Sequence, residues 1–252
     1  YVVDGYFKTD EEARNYKVDQ SFVNQMINAS ALDNGLHAGD LKFVDLDGNN
    51  KIEQTTSAND RKDMKVIGNS LPRYNYNFGI SADWYGIDFS VLFQGIGKQN
   101  WYPGAETSMF WGPYSRPYAS FIPSDFMSQV WSEENTDAYF PRPRGYVALG
   151  SNRELAVVNT KYLQNLAYCR LKNLSIGYTL PDKWLSKIGF EKIRVYFSGE
   201  NLLTFTKLHS DYIDPEQASA SNSWKTSKSD ANIYPWAKTY SCLLYTSDAA
   251  DD

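Results

Sequence analysis

From Tyr74 to Ala82 the chain alternates strictly. Tyr74, Tyr76, Phe78, Ile80 and Ala82 interleave with Asn75, Asn77, Gly79 and Ser81. After Asp83-Trp84-Tyr85-Gly86 the alternation resumes, with Ile87, Phe89, Val91 and Phe93 on one face, Asp88, Ser90 and Gln94 on the other, and Leu92 the exception. A period of two predicts β-strands, because successive side chains point to opposite sides of a sheet. Together the two runs predict a hairpin with one aromatic and aliphatic face and one small, polar face. Such a division suits a transmembrane β-barrel, which meets hydrocarbon outside and water inside.

The same pattern returns further along. A third strand is expected over about Ala167–Leu180, with Leu174, Ile176 and Tyr178 opposed to Asn173, Ser175, Gly177 and Thr179. A fourth is expected over about Lys192–Leu203, with Ile193, Val195 and Phe197 opposed to Arg194, Tyr196, Ser198 and Glu200. A fifth begins near Ala237 and is interrupted at Cys242. The predicted segments are 1–72 (loop region, with a helix start at Thr9–Ala13 and a short alternating stretch at Gly39–Asp45), 73–96 (hairpin), 97–166 (loop, with a small helix near Ser124–Trp131), 167–203 (hairpin, turning through Pro181–Gly189), 204–236 (loop) and 237–241 (start of the last strand). Connection lengths thus run short, long, short, long. Outer-membrane barrels join strands by short periplasmic turns and long extracellular loops. The expected fold is therefore all-β: part of a transmembrane antiparallel β-barrel, about five carboxyl-terminal strands, with long extracellular loops containing short helices.

Composition agrees with this picture. The 252 residues have a formal net charge of −5, which gives no footing for a nucleic-acid partner. A mean hydropathy of −0.52 and the lack of a long apolar run exclude a membrane-crossing helix. The aromatics are numerous, 7 Trp, 19 Tyr and 13 Phe, as barrels need for their interfacial girdles. Two cysteines, Cys169 and Cys242, supply no disulfide framework, and His37 and His209 lack ligand spacing. The chain begins Tyr1-Val2-Val3-Asp4 without initiator methionine or leader, as expected of a fragment whose amino-terminal part lies elsewhere. Residues 242–252 resemble the read-through translation of a sequencing adapter. On that resemblance Cys242 is not native and the true carboxyl terminus is absent.

Catalytic constellations are not found. Gly95-Ile96-Gly97 has no third glycine in register, and Glu133-Glu134 sits in a surface-like polar context. Asp45-Leu46-Asp47-Gly48-Asn49-Asn50-Lys51-Ile52-Glu53 resembles the first half of a calcium loop. Asp45, Asp47 and Asn49 stand at the first, third and fifth positions, and Asn50, tolerant of the left-handed conformation, replaces the usual glycine. Thr56 stands where the bidentate Glu belongs, and Asp60 substitutes only if the loop folds differently. The competing reading is an Asx-rich turn closed by its own hydrogen bonds. In the long insertion, Trp101, Trp111, Tyr114, Tyr118 and Trp131 are candidates to stack on a sugar or grip a peptide. The competing reading, favoured for most of the insertion's aromatics, is a core of the loop's own.

Several pieces resemble the carboxyl-terminal part of SusC/RagA-type TonB-linked outer-membrane transporters. They include Val3-Asp4-Gly5-Tyr6-Phe7, Gly39-Asp40-Leu41-Lys42-Phe43-Val44-Asp45-Leu46-Asp47-Gly48, Tyr168-Cys169-Arg170-Leu171-Lys172-Asn173-Leu174-Ser175-Ile176-Gly177-Tyr178, Val195-Tyr196-Phe197-Ser198-Gly199-Glu200-Asn201-Leu202 and Asp211-Tyr212-Ile213-Asp214-Pro215-Glu216. The resemblance implies a large barrel with an amino-terminal plug and active uptake of oligosaccharides or peptides. It further implies energy delivered through TonB by way of a region outside this chain, and a SusD-like surface lipoprotein as lid. The protein would be a bacterial outer-membrane transporter, not an enzyme. A soluble carbohydrate-binding β-sandwich is the alternative; it would bury the apolar strand faces in a protein core. A dockerin-like calcium module over residues 40–70 would need a second copy and a following helix, where a strand pattern stands instead.

Overall fold

The computed structural model describes residues 1–24, 35–57, 59–115, 122–143, 146–150, 153–187, 189–221, 228–229 and 234–248. Strand β1 (Val3–Tyr6) and β2 (Leu41–Phe43) pair antiparallel, with helix α1 (Asp10–Arg14) between them in sequence. The helix starts as its sequence demands. Thr9 Oγ1 accepts from Glu12 N at 3.1 Å, and the Glu12 carboxylate accepts from Lys8 N at 2.9 Å.

Next come β3 (Asn75–Trp84) and β4 (Ile87–Ile96), joined by Tyr85 (φ +46°) and Gly86 (φ +82°). Positive φ at both central residues suits a two-residue hairpin, because that turn matches the twist of the strands. The insertion contains β5 (Asn100–Pro103), α2 (Ser108–Trp111) and β6 (Gln164–Asn165). Then follow β7 (Tyr168–Thr179), α3 (Asp182–Leu185), β8 (Phe190–Thr206), α4 (Pro215–Ser221), β9 (Lys228–Ser229) and β10 (Thr239–Asp248).

Five strands make one antiparallel sheet in the order β10-β8-β7-β4-β3, so every pairing joins sheet strands that follow one another in the chain. Short turns close one end of the hairpins and the long connections leave from the other. Register fixes the faces. Ala82, Phe89, Ile176, Phe197 and Cys242 form one cross-strand row, and Ile80, Val91, Leu174, Gly199 and Tyr240 form the next on that side. Ser81, Ser90, Ser175, Ser198 and Ser241 line up on the opposite side, a row of hydroxyls spanning all five strands. An irregularity between Leu171 and Asn173, with Asn201 at φ +54° on β8, absorbs the extra residues and keeps the two faces separate beyond it.

The hydrophobic core does not lie under the sheet. It gathers Tyr1, Tyr6, Leu41, Phe43 and Ile52 with Trp101, Trp111, Phe140 and Tyr162 of the insertion and Leu208, Ile213 and Ala218 of the last loop. The three long segments therefore fold into one shared globule at the long-connection end. The sheet keeps its apolar side chains largely bare: Phe78 is 50% exposed, Ile80 60% and Phe205 60%. Among the described residues no second sheet covers that face, which removes the main structural requirement of a sandwich.

Some expected boundaries moved. The helix expected near Ser124–Trp131 is a 3₁₀ turn over Phe126–Gln129. Trp131 N–H donates to Phe140 O at 2.9 Å, and Val130 bridges Phe140, so the chain is drawn into extended pairing after one turn. The fourth strand is longer than expected, Phe190–Thr206. The fifth is not interrupted at Cys242. It continues to Asp248, pairing Leu243 with Tyr196, Leu244 with Val195 and Tyr245 with Arg194. Leu, Tyr and Thr there all suit a strand, and the ladder is made by backbone groups whatever the side chains.

Candidate functional site

The polar face of the sheet is the surface with the most built chemistry. Asp88 of β4 and Arg194 of β8 reach over β7 to each other, with Arg194 Nη2 at 2.6 Å and Nε at 3.0 Å from the two carboxylate oxygens. Gly177 lies between them on β7. A Cβ there would come within 2.5 Å of Asp88 Oδ1, so only glycine leaves room for this pair. Arg194 also lies over the Tyr196 ring at 4.7 Å.

Towards the long-connection end, the same face holds a second, larger network. Arg170 stands opposite Gln94 and Thr204, and it is only 1% exposed. Its guanidinium donates to Asp214 Oδ2 at 2.6 Å, to Glu216 Oε2 at 2.8 Å and to Thr204 Oγ1 at 2.9 Å. Lys172 Nζ donates to both oxygens of Glu216, at 2.8 and 2.9 Å. Asp214 also caps α4, accepting from Glu216 N and Gln217 N, and takes a further N–H from Trp236. Two pieces of the sequence noted separately, around residues 168–178 and 211–216, are thus one contact. Sequence reasoning missed it, since a charge on a strand and two acids in a loop look like solvated surface.

Where that last loop meets the insertion there is a cleft of about 200 Å³, lined in part by Phe110, Asp125, Gln129, His209, Asp211 and Tyr212. His209 stacks on Tyr139 with ring centres 3.5 Å apart, and its Nε2 is 2.8 Å from Gln129 Oε1. Burial pushes the imidazole below its ordinary pKa, against the pull of Asp211 and Asp125.

The insertion's candidate rings lie elsewhere. Trp101, Trp111, Tyr114 and Trp131 are all buried in the shared globule. Trp111 Nε1–H donates to Gly104 O at 2.9 Å, and its ring meets those of Phe110, Phe140 and Tyr162. None of the four turns an open ring face to solvent. Tyr118 lies outside the described residues. The exposed ring beside the cleft is Tyr212, which sequence reasoning did not single out.

The calcium-like turn closes on itself. Asp45 accepts from Gly48 N at 2.8 Å and Asn50 N at 2.7 Å, and Asn50 adopts φ +60° as its position requires. The slight desolvation of the Asp45 carboxyl opposes its ionisation, but the N–H groups of Asn50 and Gly48 outweigh it and hold the pKa below the ordinary range. Asn49 Oδ1 accepts from Lys51 N at 2.8 Å. Asp63, not Asp60, joins Asp45 and Asp47, one oxygen from each lying within 4.8 Å of the others. Asp60 instead faces Lys62 at 3.4 Å. Three carboxylate oxygens so placed suit a calcium ion in chemistry, yet their hydrogen bonds already account for the turn. Asp63 is fully buried and accepts from Leu46 N at 2.8 Å and Glu53 N at 2.7 Å. Asp63→Ala is expected to cost about 1–3 kcal/mol by orphaning both donors. Hydrogen exchange at Leu46 and Glu53 in the full-length protein would rise accordingly; unchanged protection would contradict the role.

Curated relatives place this architecture. TonB-dependent receptor P3 of Formosa agariphila is 31% identical over 208 residues, covering 80% of this chain. TonB-dependent receptor P26 of the same organism is 27% identical over 192 residues, covering 75%. This chain is homologous to TonB-dependent receptors. It spans only 18% and 17% of the length of those two receptors. No family model matches this chain. Among solved structures, the RagAB peptide importer in its "open-open" state aligns at 22% identity and a TM-score of 0.48, covering 83% of this segment and 20% of that chain. The importer's "closed-closed" state aligns at 20% identity and the same TM-score, covering 77% and 20%. Among the described residues no helix is long and apolar enough to cross a membrane, which says nothing against crossing by strands.

Proposed function

We propose that this segment is part of the wall and outer mouth of an outer-membrane barrel that imports a nutrient, oligosaccharide or peptide, with energy delivered by TonB. The observation behind this reading is the two-sided sheet. One face presents Phe, Ile, Val and Leu side chains that no second sheet covers among the described residues, and the other presents a five-serine row and paired charges. Hydrocarbon outside and water inside satisfy both faces at once, and a closed barrel satisfies every backbone group at membrane depth. The short turns are then periplasmic and the shared globule extracellular. A SusD-like lipoprotein seated on that globule, and TonB engaging a region amino-terminal to this chain, complete the proposal.

The test is uptake by the source bacterium carrying an in-frame deletion of the full-length gene. Growth on one class of polymer, glycan or protein hydrolysate, is expected to fall, to be restored by the intact gene, and to be lost equally when TonB is removed. Unchanged growth and uptake across both classes would remove the import reading. A purified full-length protein that stays monodisperse without detergent would favour the soluble sandwich.

A further inference from the structure

We infer that the segment Asp211–Ser221 is an inward-folded constriction and that Arg170 is the positioning residue that holds it over the polar face of the barrel wall. The inference rests on the barrel reading above and adds to it where the water-filled path narrows and which side chain sets that width.

The geometry begins with the face to which Arg170 belongs. Its cross-strand neighbours are Gln94 on β4 and Thr204 on β8, and Gln94 in turn faces Asn77 on β3. All four stand on the polar side. The bond from Arg170 Nε to Thr204 Oγ1 keeps the guanidinium close to the sheet. Asp214 and Glu216 must therefore come to it, and they bring the first turn of α4 across the polar face rather than up and away from the rim. Further along α4, Ser219 Oγ donates to Gln99 Oε1 at 2.6 Å, and Ala218 is buried in the shared core. Beyond α4, β9 adds in parallel to β5. The start of the last loop is thus held by ionic bonds to the wall on one side and by packing to the globule on the other.

The charges suit a fixed strut. Arg170 and Lys172 face Asp214 and Glu216, two cations against two anions, with Arg170 almost wholly removed from water. Moving the segment away would leave a buried guanidinium without its carboxylates, the most unfavourable way to break such a pair. Arg is also the side chain whose planar fork can serve two carboxylates and a hydroxyl together.

The experiment uses the full-length protein in outer membranes, with every cysteine it carries, Cys169 among them, replaced by serine and Ser90→Cys as the reporter. Ser90 sits on the polar face four residues along β4 from Gln94, towards the short turns. N-ethylmaleimide, a small reagent, and a polyethylene-glycol maleimide, a bulky one, are applied from outside. With Arg170 intact, the small reagent is expected to label and the bulky one to label slowly. Arg170→Ala is expected to speed bulky labelling severalfold and to leave small-reagent labelling unchanged. Arg170→Lys is expected to fall between the two. Glu216→Gln, which keeps Asp214 and the cap of α4, gives a second route should the alanine variant fold poorly. If small-reagent labelling persists and neither variant changes the bulky reagent, the constriction is refuted while the barrel reading stands. If N-ethylmaleimide cannot reach Ser90→Cys yet labels Val91→Cys as an aqueous site, the barrel reading fails and this inference with it.

Discussion

Val91→Arg in the full-length protein is expected to block stable insertion, whereas Ser90→Arg, one residue away, is expected to be tolerated. Val91 lies mid-strand between Ile80 and Leu174, on the face that no second sheet covers among the described residues. In a barrel this face meets hydrocarbon near mid-depth, where an arginine costs about 2–4 kcal/mol. That is roughly a 30- to 700-fold loss in the folded-to-unfolded ratio at 1.4 kcal/mol per decade. Ser90 points to the other side, between Ser81 and Ser175, where a charge meets water and the neighbouring Asp88–Arg194 pair. The measurement is the fraction of heat-modifiable, protease-resistant protein after refolding into lipid vesicles across a urea series. A soluble sandwich also penalises arginine at Val91, but it folds without lipid. Equal effects at the two positions would remove the distinction between faces on which the import reading rests.

Why the strands were readable and the clamp was not comes down to range. Alternation is a local property: Tyr76, Phe78 and Ile80 declare a face within five residues, and the Tyr85-Gly86 turn fixes the register of β3 on β4. Even Thr9 and Asn50 took the conformations expected of them, since a cap and a left-handed turn are settled by neighbours in sequence. Arg170 and Asp214 are 44 residues apart, and nothing near either says that the other is its partner. The same holds for Asp88 and Arg194. Gly177 between them was legible only as an alternating small residue, not as the gap that lets two charges meet. In the calcium-like turn, spacing put Thr56 at the twelfth position and left Asp60 as a substitute only if the loop folds differently, whereas the folded loop brings Asp63 to the cluster, where its carboxylate reaches both Leu46 N and Glu53 N. Strand ends misled for another physical reason. A backbone ladder extends for as long as a neighbouring strand offers donors and acceptors, so β8 and β10 run beyond the residues whose side chains announced them.

Trp111→Ala is expected to loosen the globule built by the long segments while the five-stranded sheet remains folded. Trp111 is fully buried, donates its indole N–H to Gly104 O, and packs edge-on against Phe110 and Tyr162. Tyr162 passes the contact on, its hydroxyl 3.0 Å from that of Tyr6 on β1, so the ring ties the insertion to the first segment of the chain. Truncating a buried tryptophan costs about 3–5 kcal/mol, because transfer energy is lost and the cavity only partly collapses. That exceeds the cost expected of losing a ring that merely brushes a ligand, since such a ring is solvated before binding. The two roles also differ in what rescues them. Trp111→Phe keeps most of the packed area and lacks the indole donor, so it is expected to recover much of the protease resistance lost in the alanine variant. A stacking platform would lose ligand affinity in both variants while the globule stayed resistant. Limited proteolysis of the full-length protein in detergent separates these outcomes when read beside its heat-modifiability. Cleavage within residues 97–166 with an intact sheet is the expected pattern, and a resistant globule in Trp111→Ala would return this ring to the list of ligand contacts.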